Sequence, residues 1–250
     1  MHKTVFITGA TAGFGKAMAE RYAHEGWNLV LTGRRQERLD ELEKELAPAK
    51  VHTLCFDVRD KQACQEAVSS LPEAFASIDV LVNNAGLALG LDPAQSSDLS
   101  DWETMIDTNI KGLMYMTRAI LPGMVERDKG HIVNLGSVAG TYPYPGGNCY
   151  GGTKAFVNHF SKNLLADLLG TRIRVTNIEP GLCETEFSVI RFKGDKASAN
   201  KVYEGTQPIV AEDIAEIVYW TTTLPPHVNI NSLEVMPVDQ AFSPFAINRR

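Results

Sequence analysis

The chain lacks several features that would assign it to a protein class at once. Its 250 residues contain only four cysteines, Cys55, Cys64, Cys149 and Cys183, and no two are spaced as C-x-x-C. This pattern argues against a disulfide framework or structural zinc, so we expect reduced thiols. The six histidines show no H-E-x-x-H or other metal-ligand spacing. We therefore predict no metal site.

An excess of positive charge is also missing. The chain has 24 basic and 30 acidic residues, a net charge of −6, and no long basic run, which disfavours a nucleic-acid partner. No stretch approaches the roughly 20 apolar residues that span a bilayer. The first residues lack the apolar core and cleavage site of a signal peptide. We expect a cytoplasmic protein with no nucleic-acid or membrane partner.

Seven short β-rich runs alternate with helical patterns along the chain. The runs are Thr4–Thr8, Asn28–Thr32, Val51–Phe56, Val80–Asn83, His131–Leu135, Arg174–Glu179 and Ser232–Met236. This alternation predicts an α/β fold of the Rossmann type, a doubly wound parallel sheet of about seven strands with helices on both faces. Because 44% of the residues are apolar and the composition does not shift, residues 1–250 are expected to form one domain.

Apolar residues recur at helical spacing between these runs. The predicted helices include Phe14–Glu25, Arg35–Leu46, Trp102–Met124, Tyr150–Leu169 and the region around Ile214–Thr221. Residues Thr185–Thr206 break this regularity, because they are polar and contain Gly194 and Gly205. They are predicted to form a mobile substrate loop or lid.

The most informative side chains lie in the segment Y-G-G-T-K. On a helix, Tyr150 and Lys154 are one turn apart, which places an ammonium beside a phenol. The unperturbed pKa of a phenol is about 10, and lowering it by about three units requires roughly 4 kcal/mol of selective phenolate stabilisation. One lysine does not supply this alone, so the pair implies an oxidised, cationic nicotinamide nearby. We therefore expect a dinucleotide site.

A glycine turn, T-G-A-T-A-G-F-G, follows the first predicted strand. Gly9, Gly13 and Gly15 would let the backbone and a helix N-terminus approach a pyrophosphate, although a tight turn without a ligand is the alternative. Where an NAD site usually carries an acidic residue, this chain has Arg34 and Arg35. Two guanidiniums suit a 2′-phosphate, which predicts NADP, unless these arginines merely open the charged helix that follows.

Further motifs complete a series that runs along nearly the whole chain. They are Asp57-Val58, Asn83-Asn84-Ala85-Gly86, Asn109, Ser137, the Tyr150/Lys154 pair and Pro180-Gly181. The series resembles the short-chain dehydrogenase/reductase family. The resemblance implies an oxidoreductase in which Tyr150 exchanges the substrate proton and Ser137 holds the substrate oxygen. Lys154 would lower the tyrosine pKa and bind the nicotinamide ribose, and Asn109 would hold a water that relays the proton.

The resemblance also implies a set of residues that contact NADP. They are Gly9, Thr11, Gly13, Phe14, Gly15, Arg34, Arg35, Asp57, Val58, Asn84, Ala85, Gly86, Tyr150, Lys154, Pro180, Gly181 and Thr185. Two places depart from the family pattern. Ala12 stands where many NADP-dependent relatives carry a basic residue, which leaves the phosphate mainly to the two arginines. Gly151 and Gly152 open the catalytic helix, where each glycine costs about 1 kcal/mol against alanine.

Other segments, including R-V-T-N-I-E-P-G-L and H-V-N-I-N-S-L-E-V-M-P-V, resemble a subgroup of this family. That subgroup acts with NADP on small 3-hydroxy acids of the serine, L-allo-threonine and 3-hydroxypropionate type. An acid substrate needs a cationic clamp. Arg191 is our candidate and Lys193 the second, with a solvated loop arginine as the alternative. Gly147 and Asn148 are also expected to face the substrate, together with Ser137 and Tyr150.

Two other functions stay open. One is a 3-oxoacyl-thioester or other carbonyl reductase of the same family, although such relatives tend to carry V-D-G-G where this chain has Pro237–Gln240. The other is a non-catalytic NADP-sensing interaction protein, which would not need all four catalytic residues. The resemblance further implies a homotetramer built on the helices near Trp102–Met124 and Tyr150–Leu169, with the tail Ala241–Arg250 packed across a subunit boundary.

Overall fold

The computed structural model describes residues 3–242 and 247. One parallel sheet has the strand order β3-β2-β1-β4-β5-β6-β7. Its strands are β1 Thr4–Ile7, β2 Asn28–Gly33, β3 Val51–Cys55, β4 Val80–Asn83, β5 Gly130–Leu135, β6 Ile173–Pro180 and β7 Ser232–Val235. The predicted fold class is confirmed, and every predicted run agrees with its strand to within one residue at each end.

Helices connect the strands and cover the sheet. They are α1 Gly13–His24, α2 Gln36–Glu45, α3 Lys61–Ser69, α4 Glu73–Ala76, α5 Leu99–Ile106, α6 Leu113–Glu126, α7 Asn148–Asp167, α8 Glu186–Arg191, α9 Lys196–Lys201 and α10 Ala211–Thr223. A π-helical turn, Asp107–Gly112, joins α5 to α6, and a 3-10 turn, Val138–Gly140, follows β5. Within the described residues, no helix is both long and apolar enough to span a bilayer.

Side chains alternate between two hydrophobic cores because successive strand residues point to opposite faces of the sheet. On one face, Ile7 packs in a core with Met18 of α1 and Ile214 of α10. On the other, Phe6 packs in a core with Met116 of α6. The two cores fix the sheet between its helices. The carboxyl ends of all the parallel strands lie at one edge of this sheet, and the candidate site lies there.

The segment 185–206, predicted as a substrate loop or lid, contains the two short helices α8 and α9. Thr185 accepts a hydrogen bond from the backbone N–H of Phe187, and Asp195 caps α9 by accepting from two backbone N–H groups. Polar capping stabilises short helices without the apolar periodicity on which the sequence prediction relied.

Candidate active site

A cleft of about 550 Å³ opens at the carboxyl ends of β1 and β4. The strand order reverses between these two strands, and such switch points form ligand crevices in open α/β sheets. Many of the predicted cofactor residues line this cleft. They are Gly9, Thr11, Gly13, Phe14, Arg34, Arg35, Asp57, Val58, Asn84, Ala85, Gly86, Tyr150, Lys154 and Thr185.

The glycine turn forms one end of the cleft. Gly9 and Gly13 have φ angles of +65° and +50°, a region that favours glycine. The N-cap of α1 is Ala12, which makes no side-chain cap, so the first N–H groups of the helix are left for an anion. Gly15 does not line the cleft. A Cβ there would lie 2.2 Å from the Gly9 carbonyl oxygen, so Gly15 allows α1 to pack against the turn.

Asn84 fixes the glycine turn to the end of β4. Its Nδ2 donates to the carbonyl oxygens of Thr8 and Gly9 at 2.9 and 3.0 Å. In return, Thr8 Oγ1 accepts from the backbone N–H groups of Asn84 and Ala85 at 3.0 and 2.9 Å. These bonds set the separation of the two strand ends, and with it the width of the cleft.

Arginine side chains gather at the end of the cleft formed by β2 and β3. Arg35 donates to Thr11 Oγ1 at 3.3 Å, and Arg34 lies 3.8 Å from Asp57 with a side chain that is 60% exposed. Arg59, which the motif reading missed, donates to both oxygens of Asp57. Although burial raises the pKa of Asp57, its hydrogen bonds with Arg59 lower it overall. Because Arg59 already neutralises Asp57, the partly exposed guanidiniums of Arg34 and Arg35 are available to an anionic ligand.

The helix α7 carries Tyr150 and Lys154 into the cleft one turn apart. Lys154 Nζ lies 5.8 Å from the Tyr150 ring centroid and donates to the Leu135 carbonyl oxygen at 2.7 Å. Burial lowers the pKa of Lys154 to about 8. Burial also raises the pKa of Tyr150, against the opposing effects of hydrogen bonding with Ser137 and the charge of Arg191. The protein without a cofactor therefore does not lower the pKa of Tyr150, in agreement with the prediction that the lysine alone does not suffice.

The π-helical turn holds Asn109 beneath the cleft. Its Oδ1 accepts from the Leu87 N–H, and its Nδ2 donates to the Leu87 carbonyl at 2.9 Å and to Thr153 Oγ1 at 3.0 Å. Turns of this kind are frequent at functional sites. Because both amide hydrogens are used, a water held by this side chain must donate to Oδ1. Asn109 thereby ties the segment after β4 to α7.

Ser137 lies beside the cleft and connects it to the end of β6. Its Oγ donates to the Pro180 carbonyl oxygen at 3.4 Å and accepts from the Ala139 N–H at 3.1 Å. Pro180 and Gly181 themselves do not line the cleft. A Cβ on Gly181 would lie 2.2 Å from Gln240 Oε1, so this glycine permits a close approach between two chain segments.

Phe187 and Ile190 of α8 line the cleft near Tyr150, whereas Arg191 and Tyr144 are not among its lining residues. The Arg191 guanidinium carbon lies 5.3 Å from the ring centroid of Tyr150, 5.5 Å from that of Tyr144 and 6.0 Å from that of Phe187. Arg191 donates through Nη2 to the Tyr144 hydroxyl. Its Nε is buried and has no hydrogen-bond partner among the described residues. The sequence reading found Arg191 but missed the two aromatic residues, although Tyr144 stands in the distinctive segment Y-P-Y-P-G-G.

Gly147 and Asn148 do not face the cleft, contrary to the prediction. Gly147 is buried, and a Cβ there would lie 2.5 Å from a carbon of the Tyr144 ring. Asn148 instead donates through Nδ2 to the Asp92 carbonyl at 3.2 Å and to Ser97 Oγ at 3.4 Å. Proximity to Tyr150 in sequence misled here, because the first turn of a helix presents its side chains in different directions.

The comparison with known families identifies this arrangement. Residues 3–195 match the model for the short chain dehydrogenase family. The chain belongs to this family. It is 58% identical over 246 residues to an NADP-dependent 3-hydroxy acid dehydrogenase of Salmonella typhi, covering 98% of this chain and 99% of the relative. It is 56% identical over 251 residues to sulfoacetaldehyde reductase 2 of Chromohalobacter salexigens, covering 100% of both chains.

A solved structure described as the closed form of serine dehydrogenase complexed with NADP+ has the same fold. The TM-score is 0.94 at 56% identity, covering 99% of this chain and 100% of that one. The short-chain dehydrogenase cleft of the present chain fits a phosphorylated dinucleotide. It combines an uncapped helix N-terminus and two positive-φ glycines with the exposed Arg34 at the far end.

Proposed function

We propose that this protein is an NADP-dependent oxidoreductase that interconverts small 3-hydroxy acids and their 3-oxo acids or semialdehydes by hydride transfer. The proposed substrates are of the serine, L-allo-threonine and 3-hydroxypropionate type. The Arg191 guanidinium, 5.3 Å from the Tyr150 ring centroid, carries this proposal. A short hydroxy acid can place its carboxylate on Arg191 while its hydroxyl meets Tyr150. A neutral alcohol gains only the second contact.

The relatives support the proposal through what their names describe. One is a 3-hydroxy acid dehydrogenase that depends on NADP, and the solved structure is a serine dehydrogenase with NADP+ bound. The predicted cofactor residues that line the cleft would hold NADP, with Arg34 and Arg35 at its 2′-phosphate. When bound, its nicotinamide ring would supply the hydride acceptor for oxidation and the hydride donor for reduction.

Tyr150 is the proposed acid and base. Because burial raises the pKa of Tyr150, its phenol is protonated and can donate this proton to the substrate oxygen during reduction. In oxidation the phenol must first release its own proton to solvent, and the resulting phenolate oxygen then takes the hydroxyl proton of the substrate. Ser137 can turn its hydroxyl from its long bond with Pro180 to the substrate oxygen. Lys154 has N–H groups beyond the one used by Leu135 and would donate them to a ribose.

A substrate panel tests this proposal. We expect NADP+-dependent oxidation of 3-hydroxypropionate, serine and L-allo-threonine, and NADPH-dependent reduction of the corresponding semialdehydes or 3-oxo acids. Arg191→Ala should raise the KM for 3-hydroxypropionate roughly 10- to 100-fold, since hydrogen bonds with charged groups contribute about 1.5–3 kcal/mol. The KM for the uncharged 3-hydroxypropanamide should change by less than about twofold, because this amide presents no carboxylate.

Three results would contradict the proposal. If Arg191→Ala raised the KM for the acid and for the amide equally, Arg191 would not be the residue that binds the carboxylate. Faster reduction of acetoacetyl-CoA than of any free acid would favour a thioester reductase. Tight NADPH binding without turnover of any substrate would favour an NADP-sensing protein.

We further propose a cytoplasmic homotetramer. Leu99 and Ile106 on α5 and Met114 on α6 are each at least 39% exposed, and such apolar surface is common at subunit interfaces. Phe242 is 59% exposed, while Phe245 of the predicted tail contact lies outside the described residues. Light scattering should give four times the chain mass of 27.4 kDa, and a monomer would refute the assembly.

A further inference from the structure

The surroundings of Arg191 contain an aromatic residue without a role so far. Tyr144 accepts a hydrogen bond from Arg191 Nη2, and its ring centroid lies 5.5 Å from the guanidinium carbon. Its contact with Arg191 joins residues 47 positions apart in the chain. The same guanidinium carbon lies 5.3 Å from the ring centroid of Tyr150. Tyr144 therefore touches the residue proposed to bind the substrate's acid group.

We propose that Tyr144 is a positioning residue that sets the preference for acids: it holds the Arg191 guanidinium over Tyr150 with Nε–H left for the substrate carboxylate. This inference rests on the proposed role of Arg191. The buried Nε has no protein partner in the described part of the chain, which is a costly arrangement for a donor unless a ligand completes it. Guanidinium contact with an aromatic face adds a second restraint on the same orientation.

The chain fixes Tyr144 on its own side of the contact. Prolines at 143 and 145 flank it and restrict the backbone φ angles of the turn. The Gly147 N–H donates to the Tyr144 carbonyl oxygen at 3.0 Å, which closes the turn before α7. Gly147 also has no Cβ to push the ring aside. The hydroxyl is consequently presented from a fixed position.

The main chain of Arg191 is fixed as well. Its carbonyl oxygen accepts from the Gly90 N–H at 3.0 Å, and two residues further on Lys193 forms an ion pair with Asp101 at 2.8 Å. The long side chain of Arg191 keeps its own rotamer freedom, however, and a hydrogen bond near its tip removes part of it. Tyr144 is the described residue that makes this bond.

Tyr144→Phe tests the inference, because it removes the hydroxyl and keeps the ring. We expect the KM for 3-hydroxypropionate to rise about tenfold, while kcat for the acid and the KM for 3-hydroxypropanamide change by less than about twofold. The affinity for NADPH, which checks that the cleft is intact, should not change. Tyr142→Phe is the matched control, because the Tyr142 hydroxyl donates to Glu234 rather than touching Arg191. This control should leave all constants unchanged.

Two further variants decide between positioning and general support. Gly147→Ala should reproduce the acid-selective loss, because its Cβ would displace the Tyr144 ring. In an Arg191→Ala background, Tyr144→Phe should have no additional effect on the acid. Additive losses, equal losses for acid and amide, or no loss at all would each overturn the inference. If Arg191→Ala is acid-selective but Tyr144→Phe is not, only the role of Tyr144 fails; if Arg191→Ala is not selective, the proposed clamp itself fails.

Discussion

The cofactor end and the substrate end of the cleft are built in different ways. The cofactor end consists of backbone at strand ends and of residues adjacent in sequence, such as Gly9 to Gly13 and the Arg34/Arg35 pair. The substrate end consists of side chains from separate segments that meet only in the fold, as Tyr144 and Arg191 do. The cofactor end thus depends on main-chain geometry and on two neighbouring arginines, whereas the substrate end depends on contacts between distant side chains. Changes at the substrate end should therefore leave the cofactor in place.

Tyr150→Phe should have the largest effect, since the phenol serves both ends of the cleft. General acid and base catalysis contributes about 10²- to 10⁴-fold, and we expect kcat to fall within that range. The affinity for NADPH, measured by fluorescence titration, should stay within about twofold because the ring remains. Tyr219 lies on α10 and does not line the cleft, so the control variant Tyr219→Phe should have the kcat and the NADPH affinity of the wild type. Retained turnover in Tyr150→Phe would disprove its catalytic role.

Arg34→Asp should separate the two ends. Loss of charge-assisted hydrogen bonds to a 2′-phosphate should raise the KM for NADPH roughly 10- to 100-fold and leave that for NADH the same or lower. The ratio of acid to amide turnover, set at the other end, should not move. Lys61→Asp makes the same charge change on an exposed residue of α3, away from the cleft, and is the control. An unchanged preference for NADPH over NADH would mean that Arg34 does not recognise the 2′-phosphate.

The same contrast explains what the sequence could predict. Strand ends, the glycine turn and the Tyr150/Lys154 spacing are local patterns, so the fold and the lining of the cofactor end follow from them. Gly15 and Gly181, which the family resemblance places at the cofactor, do not line the cleft, and both allow close approaches between segments that no local pattern reveals. Likewise, a Cβ on Gly151 would lie 2.9 Å from the Ala139 carbonyl oxygen, which accounts for one of the two unexpected glycines in α7. Nothing in the structure explains Gly152.

The burial of individual side chains also cannot be predicted from the spacing of residues in the sequence. The sequence reading placed an ordinary ammonium beside Tyr150, whereas Lys154 is only 7% exposed. Desolvation of a charged group depends on every segment packed around it, and Leu135 on β5 belongs to that set. The aromatic surroundings of Arg191 were hidden for the same reason, because Phe187 and Tyr144 come from separate segments. Long-range packing thus decides the electrostatics of both ends.

Lys154→Met should change stability in a pH-dependent way. The folded pKa of about 8 lies below the reference value of 10.5, so between these values the unfolded chain binds more protons and the stability of the wild type rises with pH. The variant should lack this rise. Below pH 8 it should be more stable by about 1–2 kcal/mol, because roughly 3 kcal/mol of relieved desolvation is offset by the lost hydrogen bond with Leu135.

Thermal or urea unfolding without cofactor, followed from pH 7 to 10, measures this difference. Lys162→Met, two turns further along α7 at an exposed position, should show the pH dependence of the wild type. A Lys154→Met profile parallel to that of the wild type would mean that Lys154 is not desolvated in the folded protein.

Asn148→Ala should have the smallest effect, and it separates sequence proximity from spatial contact at the substrate end. The amide group bonds with the 92–97 segment, outside the cleft, so the KM values for acid and amide should change by less than about twofold. Loss of exposed hydrogen bonds should lower the free energy of unfolding by no more than about 1 kcal/mol. A large acid-selective rise in KM would instead show that Asn148 reorients toward the substrate when the cleft is filled, and the substrate end would then extend beyond Tyr144 and Arg191.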